Sequence, residues 1–492
     1  MVRLAQSVIP NILTLILNHE IIAIFGSDVN GVLSTAAQVI NFLALFEAGF
    51  TLSTTVALYG PYLEKDTETI NSILHSAKVL YQKIGLIISF IGIIISVVVP
   101  FLISSSLSKQ LISSIFLISV LNISLTFMVS MKYGIMFSVS QQEYKLNLVS
   151  LIFQSLSQFL CIVLLRKTSS IVVVRLVWYL IPFLALPLIS FLFRKNFPGV
   201  GFKSNHPSKL GLAGAKDVFA QKIAVLVTNN TDLVIISIFL GTQFSSVYSV
   251  YYFVYAGLKQ VLFSFVLAPF NAFGQLFAGN QLDTLRASYK TYQFICIMLI
   301  SIILTTGNVL IIPFVKLYTS GVNDVNYIDL SFALLFSVAA FMELVSNIMG
   351  VVVNSIGFFK KMKPIVLWGA LGNVMCSLVL VQFLGLRGIA IGTILSYLFM
   401  NGLIGAVLYR DALKTASGYF LKYLIVNIGF SIILLYIALR LTMIIDSYLA
   451  FCLYGMFAVI IVSILFILLN LFSDPKEMRN VSGRIRTLFV HR

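Results

Sequence analysis

Ten residues with polar or charged side chains interrupt stretches that are otherwise apolar. They are Lys132, Lys222 and Lys259, the acids Glu47, Asp232 and Glu343, Asn229, and the tyrosines Tyr248, Tyr252 and Tyr255. Tyr248, Tyr252, Tyr255 and Lys259 recur at i, i+4, i+7 and i+11, which is one face of a helix. Tyrosine rings with one cation suit a sugar that stacks and a phosphate that needs charge. An isolated cation in hydrocarbon is costly. Three lysines spread along the chain are less costly around an aqueous cavity, where they would hold an anionic group. The acids would pair with them, or titrate and couple binding to protons. Structural ion pairing and aromatic packing are the competing readings. Glu343, Asn347, Gly350 and Asn354 repeat the same spacing and equally suit helix–helix contact.

Other chemistry is not prepared. The four cysteines, Cys161, Cys296, Cys376 and Cys452, lie far apart inside apolar runs, with no CxxC. They read as packing residues rather than a disulfide or metal set. None of the four histidines has a Cys or His at ligand spacing. The expectation is no metal, no cofactor and no catalytic residue, so the protein is not an enzyme.

The polar residues must be positioned by membrane helices. Of the 492 residues, 59% are hydrophobic and 10% charged, too little charge to cover a soluble protein. Apolar runs recur throughout, and about 20 residues cross a bilayer core as a helix. They are continuous rather than alternating, which excludes a transmembrane barrel. The reading is an all-α integral membrane protein with about fourteen transmembrane helices, near 4–25, 31–58, 84–105, 111–139, 146–165, 171–193, 216–240, 244–274, 291–315, 328–356, 365–384, 388–409, 419–440 and 447–472. The stretch 61–83 reads as an amphipathic helix, with Ile70, Ile73, Leu74, Ala77 and Leu80 on one side.

The net charge of +16 does not imply nucleic acid, because most of the Lys and Arg residues fall in alternate loops between spans. That bias places both termini in the cytoplasm. The tail 473–492 is basic and would lie on anionic lipid. Arg175, near the external end of the sixth span, is expected to snorkel to the interface.

Two segments repeat. FGSDVNGVLS (25–34) resembles LGTQFSSVYS (240–249), and GIMFSVSQQEYK (134–145) resembles GVVVNSIGFFKK (350–361). The step from 25 to 240 and the step from 134 to 350 are the same to within one position. That step equals six spans, so orientation is preserved and the repeats are parallel. The expected layout is an N-lobe (1–195), a cytoplasmic linker (196–215), a C-lobe (216–411), two added helices (412–472) and the basic tail (473–492), with two six-helix lobes around a central cavity.

At this point the sequence resembles a family. FGSDVNGVLS, LFEAGF and ALYGPYLEKD within 25–66, NNTDLVIISIFLGTQFSSVYSVYY (229–252), NSIGFFKKMKP (354–364) and GLRGIAIGTILSY (385–397) look like the polysaccharide-transporter, Wzx-like flippase branch of the MOP (multidrug/oligosaccharidyl-lipid/polysaccharide) exporter superfamily. The resemblance covers nearly the whole chain. It implies alternating access in a bacterial cytoplasmic membrane and a substrate carried on undecaprenyl pyrophosphate, such as a capsule, O-antigen or teichoic-acid-type unit. It also implies that cavity cations, here Lys132, Lys222 and Lys259, meet the pyrophosphate. Implied partners are the lipid-linked glycan, membrane lipids, and the polysaccharide polymerase and glycosyltransferases of the same pathway. A MATE-like drug or metabolite antiporter is the alternative. The chain departs from the family at its start, where members have a longer basic stretch, so the N-terminus is expected to be trimmed.

Overall fold

The computed structural model describes residues 2–44, 50–168, 170–204, 216–440 and 445–490, and every element among them is helical. The helices are α1 (Val2–Ala44), α2 (Phe50–Glu64), α3 (Thr67–Leu102), α4 (Lys109–Leu125), α5 (Met131–Val139), α6 (Glu143–Leu165), α7 (Ile171–Leu180) and α8 (Leu186–Asn196). They continue as α9 (Lys216–Phe239), α10 (Thr242–Leu267), α11 (Phe270–Ala278), α12 (Leu282–Tyr318), α13 (Leu330–Ser355), α14 (Phe359–Leu384), α15 (Leu386–Ala406), α16 (Gly418–Arg440), α17 (Tyr448–Ser473) and α18 (Pro475–Val490). Single turns of wider or tighter helix join α4 to α5 and α7 to α8.

Twelve helical stretches among the described residues are long and apolar enough to cross a membrane, which makes this a multi-pass membrane protein. The expected fourteen differ for two reasons. The runs 4–25 and 31–58 fall on two helices that meet at Gly26, whose φ of 83° lies in the left-handed region, and with no loop between them Val2–Ala44 counts as one stretch. The seventh run lies on α9, whose apolar described part, Leu226–Phe239, is short. Large apolar side chains such as Phe90, Ile425, Leu449, Phe457 and Phe472 are exposed along the helices, as lipid-facing positions must be.

The chain forms two compact units. The first comprises Met1–Val247 with Gly321–Val325, and the second Tyr248–Ser320 with Asn326–Arg492. In the first, Ile70, Ile73, Leu74 and Ala77 are buried and Leu80 packs beside them, so the amphipathic reading of 61–83 describes the opening turns of α3. The chain leaving α8 docks there. Asn71 clasps it through Gly199 O at 3.3 Å and Gly201 N at 2.6 Å. Phe193 stacks on Phe202 at 4.9 Å. The remainder of the expected linker, 205–215, lies outside the described residues.

Four helix ends share one geometry. At 65 and 280 the residue after the helix has φ of 57° and 56°, and the next amide bonds five residues back, Asp66 N to Pro61 O at 3.0 Å and Gln281 N to Leu276 O at 2.9 Å. At 141 and 357 the pattern recurs with Gln142 N to Phe137 O at 2.8 Å and Phe358 N to Val353 O at 3.1 Å. These are Schellman caps. Position 280 follows 65, and position 357 follows 141, by the same step that separates the repeated sequence segments.

Two measurements check this account. A Cβ on Gly31 would fall 1.6 Å from Thr242 O, whereas one on Gly60 meets nothing within 4 Å. Gly31→Ala should cost about 1–3 kcal/mol through overpacking, read as a lowered melting temperature, with Gly60→Ala unchanged or stabilised. Asp66 caps α3 by accepting from Glu68 N and Thr69 N, and hydrogen bonds from Thr69 hold its carboxyl below the ordinary value. A depressed folded value means that the cap is complete above the carboxylate range and is lost as pH falls through it. Protection factors of the Glu68 and Thr69 amides, taken against the intrinsic exchange rate at each pH, should therefore fall on acidification, and Asp66→Ala should remove that dependence.

Candidate functional site

The second unit holds the tyrosine stripe and its cation. Lys259 on α10 donates to Glu343 on α13, Nζ to Oε2, at 2.5 Å. The two side chains are only 14% and 11% exposed, so this ion pair is held in a low-dielectric setting where each charge needs the other. Asn347, one turn from Glu343, donates back to the Glu343 carbonyl at 2.8 Å.

The tyrosines of this stripe differ in accessibility. Tyr255 is fully buried, its hydroxyl 2.8 Å from Asn308 Oδ1 and 3.0 Å from Ala333 O, and its ring stacks on Phe336 at 5.3 Å. Tyr248 is buried against Phe332 and Phe336 and lies near-parallel to Tyr252 at 6.1 Å. Tyr252 is half-buried.

The first unit gathers polar groups where α1 meets α9 and the α9–α10 turn. Asp28 accepts from Ser105 Oγ at 2.9 Å, from Ser106 N at 2.7 Å, from Ser106 Oγ at 2.5 Å and from Thr242 Oγ1. Asp324 accepts from Ser27 N at 2.7 Å and Ser27 Oγ at 2.6 Å. A Cβ on Gly26 would sit 3.0 Å from Asp324 Oδ2, so both the left-handed backbone and the carboxylate require glycine there. Asn30 donates to Ser246 Oγ at 2.7 Å, Thr35 meets Ser237, and Asn41 donates to Asn230 Oδ1 at 3.1 Å.

The other expected residues are dispersed. Asp232 is buried on α9. Lys222 and Asn229 belong to α9, but their side chains, like all of Glu47, lie outside the described residues. Lys132 in the first unit has no carboxylate partner among the described residues. Its Nζ stands 5.0 Å from the Tyr133 ring and 5.3 Å from the Phe202 ring. Cation–π attraction thus replaces an ion pair there.

Other polar groups escaped the sequence reading. A cavity of about 640 Å³ in the second unit is lined by Arg286, Lys290 and Lys422 with Tyr289, Tyr409 and Tyr419. Each cation is matched: Arg286 with Asp283 at 2.8 Å, Lys290 with Glu477 at 2.9 Å, and Lys422 near Asp474 at 4.0 Å. The charges around the cavity are therefore balanced. Between α14 and α15, Asn373 donates to Thr393 Oγ1 at 3.0 Å, and Ser396 to Gly369 O at 2.6 Å. Asn373 Oδ1 and Ser377 Oγ are buried without a partner among the described residues. The signal was the regular one-turn spacing of Gly369, Asn373 and Ser377 inside an apolar run.

No protein-family model and no curated protein matches the sequence. Solved structures do. An inward-facing multidrug resistance MATE family transporter of the MOP superfamily is 14% identical, with a TM-score of 0.66 over 83% of this chain and 99% of its own. The lipid II flippase MurJ in an inward closed conformation is also 14% identical, with a TM-score of 0.66 over 94% of this chain and 96% of its own. The chain has the fold of MOP-superfamily transporters. A MOP superfamily transporter from Pyrococcus furiosus, described as having a binding pocket of reversed polarity, is similar at a TM-score of 0.56 and 14% identity, over 84% of this chain and 96% of its own.

Within this MOP fold the Lys259–Glu343 pair makes a direct prediction. Lys259→Met or Glu343→Gln alone leaves a buried charge or polar group uncompensated and should lower stability by about 3–5 kcal/mol. The double variant Lys259→Met/Glu343→Met should recover most of that loss, as thermal unfolding in detergent will show.

Proposed function

We propose that the protein is a flippase that carries an undecaprenyl-pyrophosphate-linked oligosaccharide across the bacterial cytoplasmic membrane by alternating access. The observation that carries this reading is the extent of the fold likeness. The lipid II flippase corresponds to 94% of this chain, the multidrug transporter to 83%, at equal TM-score and identity. A chain longer than the multidrug fold requires, with a counterpart that flips a lipid-linked precursor, favours a lipid-linked cargo over a small drug.

In this reading two six-helix lobes, 1–195 and 216–411, surround a central cavity, with both termini in the cytoplasm. The helix caps that recur from 65 to 280 and from 141 to 357 support a parallel duplication. Lys132, Lys222 and Lys259 would meet the pyrophosphate. Tyr248, Tyr252, Tyr255 and Asn229 would line the sugar's path. Glu47, Asp232 and Glu343 would exchange ions.

The chemistry is binding and release, with no bond made or broken. Glu343 gives a physical means of coupling, because its carboxylate already neutralises Lys259 at 2.5 Å. An incoming pyrophosphate competes for the same cation.

The test is complementation of a bacterium lacking its own polysaccharide flippase, with surface polymer and lipid-linked intermediate both measured. The expected outcome is restored polymer and a cleared intermediate. Lys222→Ala and Lys259→Ala should each lose on the order of tenfold in transport per inserted molecule, a deficit of about 1.4 kcal/mol. Full activity in both variants would end the pyrophosphate assignment. No rescue across hosts with different glycans, together with drug efflux, would favour the antiporter.

A further inference from the structure

A cation can take a ligand only where space opens beside it. Arg175, expected at the interface, fails that condition. It is 6% exposed and lies beneath the Trp178 and Tyr179 rings of its own helix, at 4.8 and 5.3 Å. The cavity beside Lys290 has the space, but its cations are already matched. A second cavity, of about 900 Å³, lies among α13, α15 and α16 and shares Tyr409, Thr415 and Ala416 with the first. Cavities of that size hold ligands.

This cavity is apolar along its length and cationic at one end. Val345 and Met349 of α13 are buried and form its floor, whereas Leu398 of α15 and Leu421 of α16 are exposed and form its rim. Exposed leucines on membrane helices face hydrocarbon, so the rim opens to lipid. Small residues hollow the α15 wall: a Cβ on Gly402 would meet nothing within 4 Å. From Leu398 to Ala406 that wall runs about 12 Å along the helix. Asn401 donates to the Met342 carbonyl at 3.0 Å and pins α15 to α13. At the far end the wider helical turn 407–412 closes α15 and brings Arg410 and Lys414 to the mouth. Lys414 is held there at a φ of 52°, with Thr415 N bonded back to Tyr409 O at 2.9 Å, a cap that usually carries glycine or asparagine. Asp411 serves two cations, Lys361 at 2.6 Å and Arg410 at 3.2 Å. Lys414 has no carboxylate partner among the described residues. The Arg410 side chain is largely exposed and engages Asp411 through Nε alone, a contact of small worth in solvent that leaves the Nη donors for another anion.

We propose that this cavity seats an anionic phospholipid, with its phosphate on Arg410 and Lys414 and the first part of an acyl chain along α15. A guanidinium fork matches two phosphate oxygens, and the lysine adds a point charge. Both cations lie where the spans Leu386–Ala412 and Gly418–Arg440 meet their connecting turn, the level at which headgroups and basic pockets meet. The leucine rim admits the chain from the bilayer. The site does not use the Lys259–Glu343 pair and does not depend on the cargo reading above.

The test uses the purified full-length protein in detergent with phosphatidylglycerol or phosphatidylcholine, read by native mass spectrometry and by thermal unfolding. Wild type should retain phosphatidylglycerol in preference and melt higher with it. Arg410→Gln and Lys414→Asn should each lower that retention on the order of fivefold. Both should fold, because Arg410 is exposed and asparagine tolerates the left-handed region. Gly402→Leu projects into the open wall and favours the helix, so it should lower retention at least as much with every charge intact. Unchanged retention in any one of the three variants, no preference in wild type, or an equal melting shift from inorganic phosphate would each overturn the lipid site, the last assigning Arg410 and Lys414 to a soluble anion.

Discussion

A single buried carboxylate, Asp28, organises the first unit. It sits just past the break in α1 and accepts from two serines of the α3–α4 turn and from Thr242 at the head of α10. Burying a charge is tolerated only when its lone pairs are filled. These donors can fill them only if three separate turns converge. Thr242 N also donates to Ser104 O, and Ser104 N to Ser237 O, at 2.9 and 3.0 Å, so the backbone follows the side chains. The close approach at Gly31 and the contact of Asn41 with Asn230 then place α9, which carries Asp232, alongside α1.

The half-buried cations are compensated in different ways. Lys259 has a carboxylate at 2.5 Å. Lys132 has two ring faces, one from the segment that follows α8. Lys290 has both, Glu477 at 2.9 Å and the Tyr419 ring at 4.2 Å, and so ties α12 to α18. These arrangements differ in what a ligand must displace. An anion approaching Lys259 competes with a full charge, whereas one approaching Lys132 competes only with a quadrupole. Under the proposed flippase reading, a cargo that must be bound and then released would be served by such graded affinities.

The flippase reading joins these local facts to the fold. In that reading, the polar residues inside the helices mark a route across the bilayer. Several tyrosines of the α10 stripe are built into the packing of Phe332 and Phe336. The face of α10 left accessible is therefore narrower than a helical wheel suggests, with Tyr252 the most accessible of the three rings.

The sequence alone determined the membrane character, the positions of nearly all the helices and the recurrence of their turn signals. These depend on local quantities: runs of apolar residues as long as a bilayer is thick, and turn residues at fixed offsets. The amphipathic start of α3 was legible for the same reason, since Ile70, Ile73, Leu74 and Ala77 share one face whatever they pack against. Tertiary structure alone decided which polar groups meet. Lys259 and Glu343 are 84 residues apart, and Asp28 and Thr242 are 214 apart. Periodicity states which face of a helix a residue occupies. It does not state which other helix will face it, because that follows from packing across the bundle. The same reason hid the balanced cavity beside Lys290 and the burial of Arg175: a charge read as facing water or interface becomes a buried one when neighbouring helices close over it.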